Sequence, residues 1–92
     1  MSIGINRYTE QKEKQIVREV RPLLKLGVKH LDVELLQRNL SRLGYEIGLN
    51  GVTGYFDEYI ENAVKKFQQD YNLTVDGTVG HITGSRIDAA LP

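Results

Sequence analysis

The protein has 92 residues, of which 40% are hydrophobic and 26% charged, and it contains neither cysteine nor tryptophan. This length suits one small domain, and the composition excludes a disordered tail, a collagen-like repeat and a membrane span. Without cysteine there is no disulfide framework, no thiolate zinc site and no cysteine nucleophile. The net charge is zero but unevenly distributed. Residues 1–31 carry seven basic and three acidic side chains, a net charge of +4, whereas residues 32–92 carry five and nine, a net charge of −4.

The N-terminal 23 residues are predicted to form a helical extension. Ile16, Val17 and Val20 follow helical spacing, and Pro22 disfavours helix at the residue before it, which predicts a helix over residues 8–21. The chain begins without the apolar core of a signal peptide and has no apolar run long enough to span a bilayer. If it acts outside the cytoplasm, we therefore expect a phage-encoded protein or an excised domain.

Three further helices are predicted after the extension, over residues 33–43, 58–71 and 81–90. Asp32 and Asp57 are the predicted N-caps of the first two, and Gly44 and Asn72 their predicted ends. The apolar positions expected to face a core are Val33, Leu36, Leu40, Leu43, Ile60, Ala63, Val64, Phe67, Tyr71, Ile82, Ile87 and Ala90. Alternation of period two never extends beyond a few residues. The sequence therefore predicts an all-α fold, a small three-helix bundle.

Two turn segments indicate an internal repeat. Val52–Phe56 and Val75–Val79 align at an offset of 23 residues and share the pattern Val-x-Gly-x-apolar. The helix before each turn carries an apolar residue followed by glutamine, Leu36-Gln37 in one case and Phe67-Gln68 in the other. Such a turn depends on glycine to reverse the chain. A buried amide can satisfy the backbone groups of the turn, so we interpret both glutamines as structural rather than ligand-binding.

Three segments together resemble a known family. VELLQRNLSRLGY at residues 33–45, AVKKFQ at 63–68 and VDGTVGHIT at 75–83 occur in the order and spacing of the peptidoglycan-binding domain that accompanies many cell-wall hydrolases. The resemblance implies a domain over residues 24–92, with three helices, an internal repeat and a role in attachment to the bacterial cell wall. It assigns structural motif positions to Leu36, Gln37, Gly44, Gly54, Phe67, Gln68, Asp76, Gly77 and Thr83. Three positions of the first copy depart from the family pattern: Thr53 replaces Asp, Asp57 replaces Gly and Ile60 replaces Thr.

The sequence gives little support for a catalytic function. His30 and His81 are the only histidines, and neither belongs to a metal-ligand motif, so no metal site and no cofactor is expected. One helix start carries three acids, Asp57, Glu58 and Glu61. The helix dipole favours acids at this position, and this explanation is better supported than a pair of catalytic glycosidase carboxylates. Nucleic acid is not an expected partner, because the matched domain is acidic and shows no basic recognition face. We therefore expect a non-catalytic module.

Tyrosines are the best candidates for ligand contact, since each offers a flat apolar face and a polar tip to a sugar. Tyr55 and Tyr59 lie off the apolar stripe beside the glycine loop and are preferred, while Tyr45 occupies a core position of the family pattern. The full candidate set is Tyr55, Tyr59, Tyr45, Asn50, Asp57 and Arg38. The expected partners are a peptidoglycan glycan strand or stem peptide and a linked or partner hydrolase, at the cell wall or in the periplasm. The module itself is expected to be a monomer.

Two alternatives stay open at this level. The same fold could serve as a structural or protein-interaction module in a phage particle or a secretion machine. The basic extension could either dock on the acidic bundle, which its apolar stripe favours, or bind anionic wall polymers directly.

Overall fold

The computed structural model describes residues 21–92, which contain three helices. Their bounds are Leu31–Arg42 for α1, Glu58–Asp70 for α2 and His81–Ala90 for α3. The described residues contain no strand, and their extended segments meet only in two isolated antiparallel bridges, Leu24 with Val79 and Lys29 with Tyr55. The prediction of an all-α three-helix bundle is confirmed. The helix predicted over residues 8–21 lies outside the described residues except for Arg21, and the division of the chain after residue 23 stays a prediction.

The N-cap of α1 differs from the one predicted. His30, not Asp32, occupies the cap: its Nδ1 accepts a hydrogen bond from the Asp32 N–H at 2.9 Å. His30 has the extended backbone of a cap residue (φ −167°, ψ 155°), whereas Asp32 is already helical and lies in the first turn, where its charge suits the helix dipole. The N-cap of α2 is Asp57, as predicted, and its Oδ1 accepts from the Ile60 N–H at 3.0 Å.

Both long helices end in the same way. Gly44 has a left-handed backbone (φ 94°); its N–H donates to Ser41 O at 3.0 Å, and the Tyr45 N–H donates to Leu40 O at 2.9 Å. At the end of α2, Asn72 takes this position with φ 58°, and the two equivalent hydrogen bonds measure 3.2 and 2.8 Å. These are the two bonds of a Schellman motif, which satisfies carbonyls that the helix leaves unpaired. The two predicted stop residues are confirmed.

One hydrophobic core joins the three helices and the segments between them. Its buried members are Leu24, Val33, Leu36, Leu40, Phe56, Ile60, Ala63, Val64, Phe67, Val79 and Ile87. The apolar stripes predicted for α1 and α2 supply most of these residues. The turn residues Phe56 and Val79, together with Leu24 and with Ile87 of α3, complete the core.

The predicted face of α3 is wrong at one position. Ile82 is 69% exposed, while Thr83, Gly84 and Ile87 are the buried residues of this helix. Thr83 is turned inward because its hydroxyl accepts a hydrogen bond from Gln68 at 3.1 Å. The neighbouring Ile82, one residue earlier on the helix, must then point to solvent.

Gln37 holds the first turn. Its Oε1 accepts hydrogen bonds from the N–H groups of Thr53 and Gly54, both at 2.9 Å. Its Nε2 donates to Thr53 Oγ1 at 3.1 Å and to Gly51 O at 3.3 Å. The side chain is only 1% exposed, and both polar atoms of its amide are hydrogen-bonded to the turn.

Gln68 holds the second turn with a corresponding set of bonds. Its Oε1 accepts from the N–H groups of Asp76 (3.1 Å) and Gly77 (3.0 Å). Its Nε2 donates to Asp76 Oδ1 (2.9 Å), Thr78 O (3.0 Å) and Thr83 Oγ1 (3.1 Å). Gln68 is also 1% exposed. The predicted structural role of the two glutamines agrees with this geometry.

The departure from Asp to Thr in the first turn preserves the local contacts. Thr53 Oγ1 accepts from the Tyr55 N–H at 3.1 Å, and Asp76 Oδ1 accepts from the Thr78 N–H at 2.9 Å in the equivalent place. Each of these oxygens also accepts from the glutamine amide of its turn. A hydroxyl therefore replaces the carboxylate without loss of the turn.

Acid is expected to weaken the second turn. Hydrogen bonds from the Thr78 N–H and then from Gln68 hold the pKa of Asp76 below its ordinary value of 3.8. A carboxyl whose folded pKa is lowered stabilises the fold fully above its unfolded pKa, and this contribution is lost as the pH falls from that ordinary value through the folded value. The Asp76→Asn variant lacks this contribution, so its stability should approach that of the parent as the pH falls from neutral to about 2. Urea unfolding of both proteins at several pH values measures the difference between their free energies of unfolding. A difference that does not change with pH would contradict the expectation.

Candidate functional site

A shallow groove of about 590 Å³ runs along α2 beside the loop that follows α1, and we call it the tyrosine groove. Its lining consists of Leu43, Gly44, Tyr45, Glu46, Tyr59, Asn62, Ala63, Lys66 and Asp70. Four of these residues, Tyr59, Asn62, Lys66 and Asp70, follow one another on α2 at spacings of three or four and therefore share one face of the helix. The tyrosine groove thus combines a helix face with a loop that the Schellman turn of α1 positions.

Tyr45 is fixed at one end of the tyrosine groove. Its hydroxyl donates to Asp70 Oδ2 at 2.8 Å, and its ring meets Phe67 edge to face, with centroids 5.8 Å apart at 75°. Burial, followed by the hydrogen bond to Asp70, raises the pKa of Tyr45 to about 12. The phenol therefore stays protonated and remains a hydrogen-bond donor throughout the physiological range.

Asp70 links Tyr45 to a lysine. Lys66 Nζ lies 3.0 Å from Asp70 Oδ1, one turn earlier on the same helix. The hydrogen bond from Tyr45, and then that from Lys66, hold the pKa of Asp70 below its ordinary value. The group therefore presents a phenol, a carboxylate and an ammonium side by side at the surface, with the lysine side chain 62% exposed.

Tyr59 supplies the accessible aromatic surface of the tyrosine groove. It is 59% exposed. Gly48, in the loop after α1, lies close enough that a Cβ there would be 3.0 Å from Tyr59 Cγ, and its φ of 96° also favours glycine. The loop thus restrains the base of the tyrosine side chain while more than half of the residue remains available to a ligand.

The other predicted ligand residues lie outside this lining. Tyr55 is 39% exposed and lies under Lys29, whose Nζ is 5.5 Å from the ring centroid. Asp57 caps α2, and Asn50 and Arg38 are exposed residues that do not line the tyrosine groove. The structure therefore joins Tyr59 with Tyr45 rather than with Tyr55.

Sequence reasoning missed the polar residues of α2. Asn62, Lys66 and Asp70 were not among the candidates, although they repeat the spacing of Tyr59 along one face. The pairing of Lys66 with Asp70 at four residues is itself a recognisable helix-surface signal. A stripe of polar residues that begins at an exposed tyrosine was the sequence feature that could have found them.

Within residues 21–92, no group of three or more His, Cys, Asp or Glu residues is placed to hold a metal ion. In the same part of the chain, no helix has the length and apolar character needed to cross a membrane.

Comparison with known proteins identifies relatives that are much longer than this chain. The family model described as "Putative peptidoglycan binding domain" matches residues 29–87. A probable CtpA-like serine protease of Staphylococcus epidermidis is 38% identical over 65 residues, which are 71% of this chain and 13% of the protease. The type VI secretion system spike protein VgrG3 of Vibrio cholerae is 34% identical over 71 residues, with 65% of this chain and 7% of the spike protein covered. The chain thus spans only a small part of these relatives.

Solved structures share the fold. The SleB N-terminal domain has a TM-score of 0.70 at 30% identity, over 75% of this chain and 92% of that domain. A fused Zn-dependent amidase/peptidase/peptidoglycan-binding domain-containing protein from Clostridium acetobutylicum has a TM-score of 0.69 at 31% identity, over 77% of this chain and 30% of the other. The endolysin of Burkholderia phage AP3 has a TM-score of 0.68 at 30% identity, over 77% and 26%. Since the family match covers well over half of its residues, this chain belongs to the peptidoglycan-binding domain family.

Proposed function

We propose that the chain is a non-catalytic module that binds peptidoglycan through the tyrosine groove. Membership of the family supports the class of ligand. The observation that carries the location is the exposed Tyr59 beside the hydrogen-bonded group of Tyr45, Asp70 and Lys66. An apolar face next to polar groups in fixed positions is the arrangement that amphipathic ligands such as sugars require.

Both parts of peptidoglycan have chemistry that fits this lining. A sugar ring can place its apolar face on Tyr59 while its hydroxyls pair with the Asn62 amide. A stem peptide carries carboxylate and amine groups, whose charges are complementary to those of Lys66 and Glu46 in the lining. The proposed ligand is therefore a muropeptide, with the sugar on the tyrosine and the peptide along the charged end of the groove.

The role proposed for this binding is to hold a linked or partner hydrolase at the cell wall. Once the module is bound, a tethered enzyme meets its substrate at an effective concentration set by the linker. The fused amidase/peptidase protein of Clostridium acetobutylicum and the phage endolysin support this role, since each combines a fold like this one with further chain. Asp57, one of the acids at the start of α2, has a structural explanation in this module, because it is the helix cap.

Replacing Tyr59 with alanine is expected to lower the amount of protein that co-sediments with purified sacculi. Truncation of a central interface tyrosine commonly costs more than about 1 kcal/mol, so we expect at least about a fivefold weaker association. The matched control is Tyr55→Ala, which also removes a partly exposed tyrosine but lies outside the tyrosine groove. Circular dichroism should show that both variants remain folded.

The two variants distinguish the parts of the proposal. An equal loss in Tyr55→Ala and Tyr59→Ala would reject the tyrosine groove as the site while leaving the ligand class intact. A folded parent protein that stays in the supernatant would reject peptidoglycan binding itself.

A second candidate function is supported by the VgrG3 relative, a spike protein of a type VI secretion system. In that case the same module would hold another protein of an assembly rather than the wall. Titration with soluble muropeptides, followed by amide chemical shifts, separates the two. Changes at Tyr59, Asn62 and Lys66 favour wall binding, and an unchanged spectrum favours the assembly role.

A further inference from the structure

A second groove, of about 340 Å³, lies between α1 and α3 where the described chain begins, and we call it the N-terminal groove. Its lining is largely apolar and includes Leu24, Leu36 and Ile87 of the core. Leu35 also lines it and is 57% exposed, although neighbouring positions of α1 are buried. The N-terminal groove therefore leaves apolar surface uncovered by the described residues.

The first described residues of the chain lie in this groove. Arg21 and Pro22 line it, and Arg21 Nη2 forms an ion pair with Asp88 Oδ2 of α3 at 2.7 Å. Gly84 makes room for this approach, since a Cβ there would lie 2.5 Å from Arg21 Nη1. A glycine inside a helix is less favourable than alanine, and here it allows this close packing. The residues that precede Arg21 therefore start at the mouth of the N-terminal groove.

Those residues have the composition that the groove requires. Ile16, Val17 and Val20 form an apolar stripe, and Ile16 is only five residues from Arg21, so at most about 18 Å of chain separates them. Residues 1–20 carry four basic and three acidic side chains, so their net charge is small, and the apolar stripe together with the position of Arg21 carries the argument.

We propose that the N-terminal groove is the docking site of this chain's own N-terminal segment, with Ile16, Val17 and Val20 packed between α1 and α3. Docking covers the apolar side chains of Leu35 and its neighbours. The segment is then part of the folded module and contributes to its stability, rather than acting as a separate arm that binds wall polymers.

The test uses the full chain and a pair of matched variants. Val17→Asp places a charge on the apolar stripe and should lower the melting temperature by roughly 4–8 °C. This is the shift that a loss of about 1 kcal/mol of stability produces in a chain of this length. Gln15→Asp introduces the same charge on the opposite side of the predicted helix and should leave the melting temperature nearly unchanged. Leu35→Asp disrupts the groove at an exposed position of α1, so Val17→Asp should have at most half its effect in that background.

Amide chemical shifts supply a second measurement that does not depend on stability. Val17→Asp should shift the signals of Leu35, Gly84 and Ile87, whereas Gln15→Asp should not. Additive effects of Val17→Asp and Leu35→Asp, or shifts confined to residues next to the substitution, would overturn the proposal. A melting temperature of the parent chain that rises over a tenfold increase in protein concentration would identify a second copy as the occupant, and would also overturn it.

Discussion

Replacing Gln68 with leucine is expected to lower the free energy of unfolding by about 3–5 kcal/mol. Leucine has a similar volume, so the loss comes from polar groups rather than from a cavity. The N–H groups of Asp76 and Gly77 lose their acceptor, and the Thr83 hydroxyl loses its donor. Each buried group left unpaired costs about 1–3 kcal/mol. Because Gly77 and Thr83 are buried, water can replace these bonds only if the turn opens.

Urea unfolding with Gln69→Leu as the matched control measures this effect. Gln69 is the next residue of α2 and is exposed, so its replacement should change the stability by no more than about 0.5 kcal/mol. The loss of stability in Gln37→Leu should lie between those of Gln68→Leu and Gln69→Leu. Thr53 in the first turn is exposed, so water can replace part of the lost hydrogen bonding. A Gln68→Leu protein within 1 kcal/mol of its parent, on the scale of a single hydrogen bond, would show that the glutamine does not hold the turn.

The helices and their ends could largely be predicted because their signals are local. Gly44 and Asn72 end helices through a backbone conformation that few other residues tolerate, and Asp57 is a preferred cap. The start of α1 could not be predicted correctly, because His30 and Asp32 both offer an acceptor within two residues. Only the backbone direction of the incoming chain, extended at His30, decides between them.

The candidate site was less accessible to sequence reasoning because it depends on distant contacts. Tyr45 and Asp70 are 25 residues apart, and no local pattern places a phenol against that carboxylate. The loop after Tyr45 contains Gly48, whose left-handed backbone conformation allows the chain to pass close to the Tyr59 side chain. The sequence therefore indicated tyrosines as candidate ligand residues, while the grouping of Tyr59 with Tyr45 rather than Tyr55 required the folded loop.

Phe67 connects the core to the tyrosine groove. It is fully buried, meets Tyr45 edge to face at 5.8 Å and stacks on Tyr71 at 4.3 Å with an interplanar angle of 24°. The ring therefore supports the residue that donates to Asp70. A change at Phe67 should affect both the stability of the bundle and the environment of the Tyr45 phenol.

Phe67→Ala is expected to lower the free energy of unfolding by about 3–5 kcal/mol, the usual cost of truncating a buried phenylalanine. Phe67→Leu keeps most of the apolar volume but loses both aromatic pairs, each worth about 0.5–1.5 kcal/mol, and should cost about 1–3 kcal/mol. Tyr45 then packs less tightly and is less buried. Since burial is the main cause of its raised pKa, that pKa should fall in Phe67→Leu from about 12 toward its ordinary value of 10.0.

Titration of tyrosine labelled with 13C at Cζ reports the Tyr45 pKa directly, and urea unfolding reports the stability. Val64→Ala is the matched control, because Val64 is fully buried on the same helix but does not line the tyrosine groove. It should lose at least about 1 kcal/mol of stability and leave the pKa of Tyr45 unchanged. If Val64→Ala lowers that pKa as much as Phe67→Leu does, the effect is general loosening of the bundle. If Phe67→Leu lowers the pKa alone, the aromatic contact is what fixes Tyr45 at the end of the tyrosine groove.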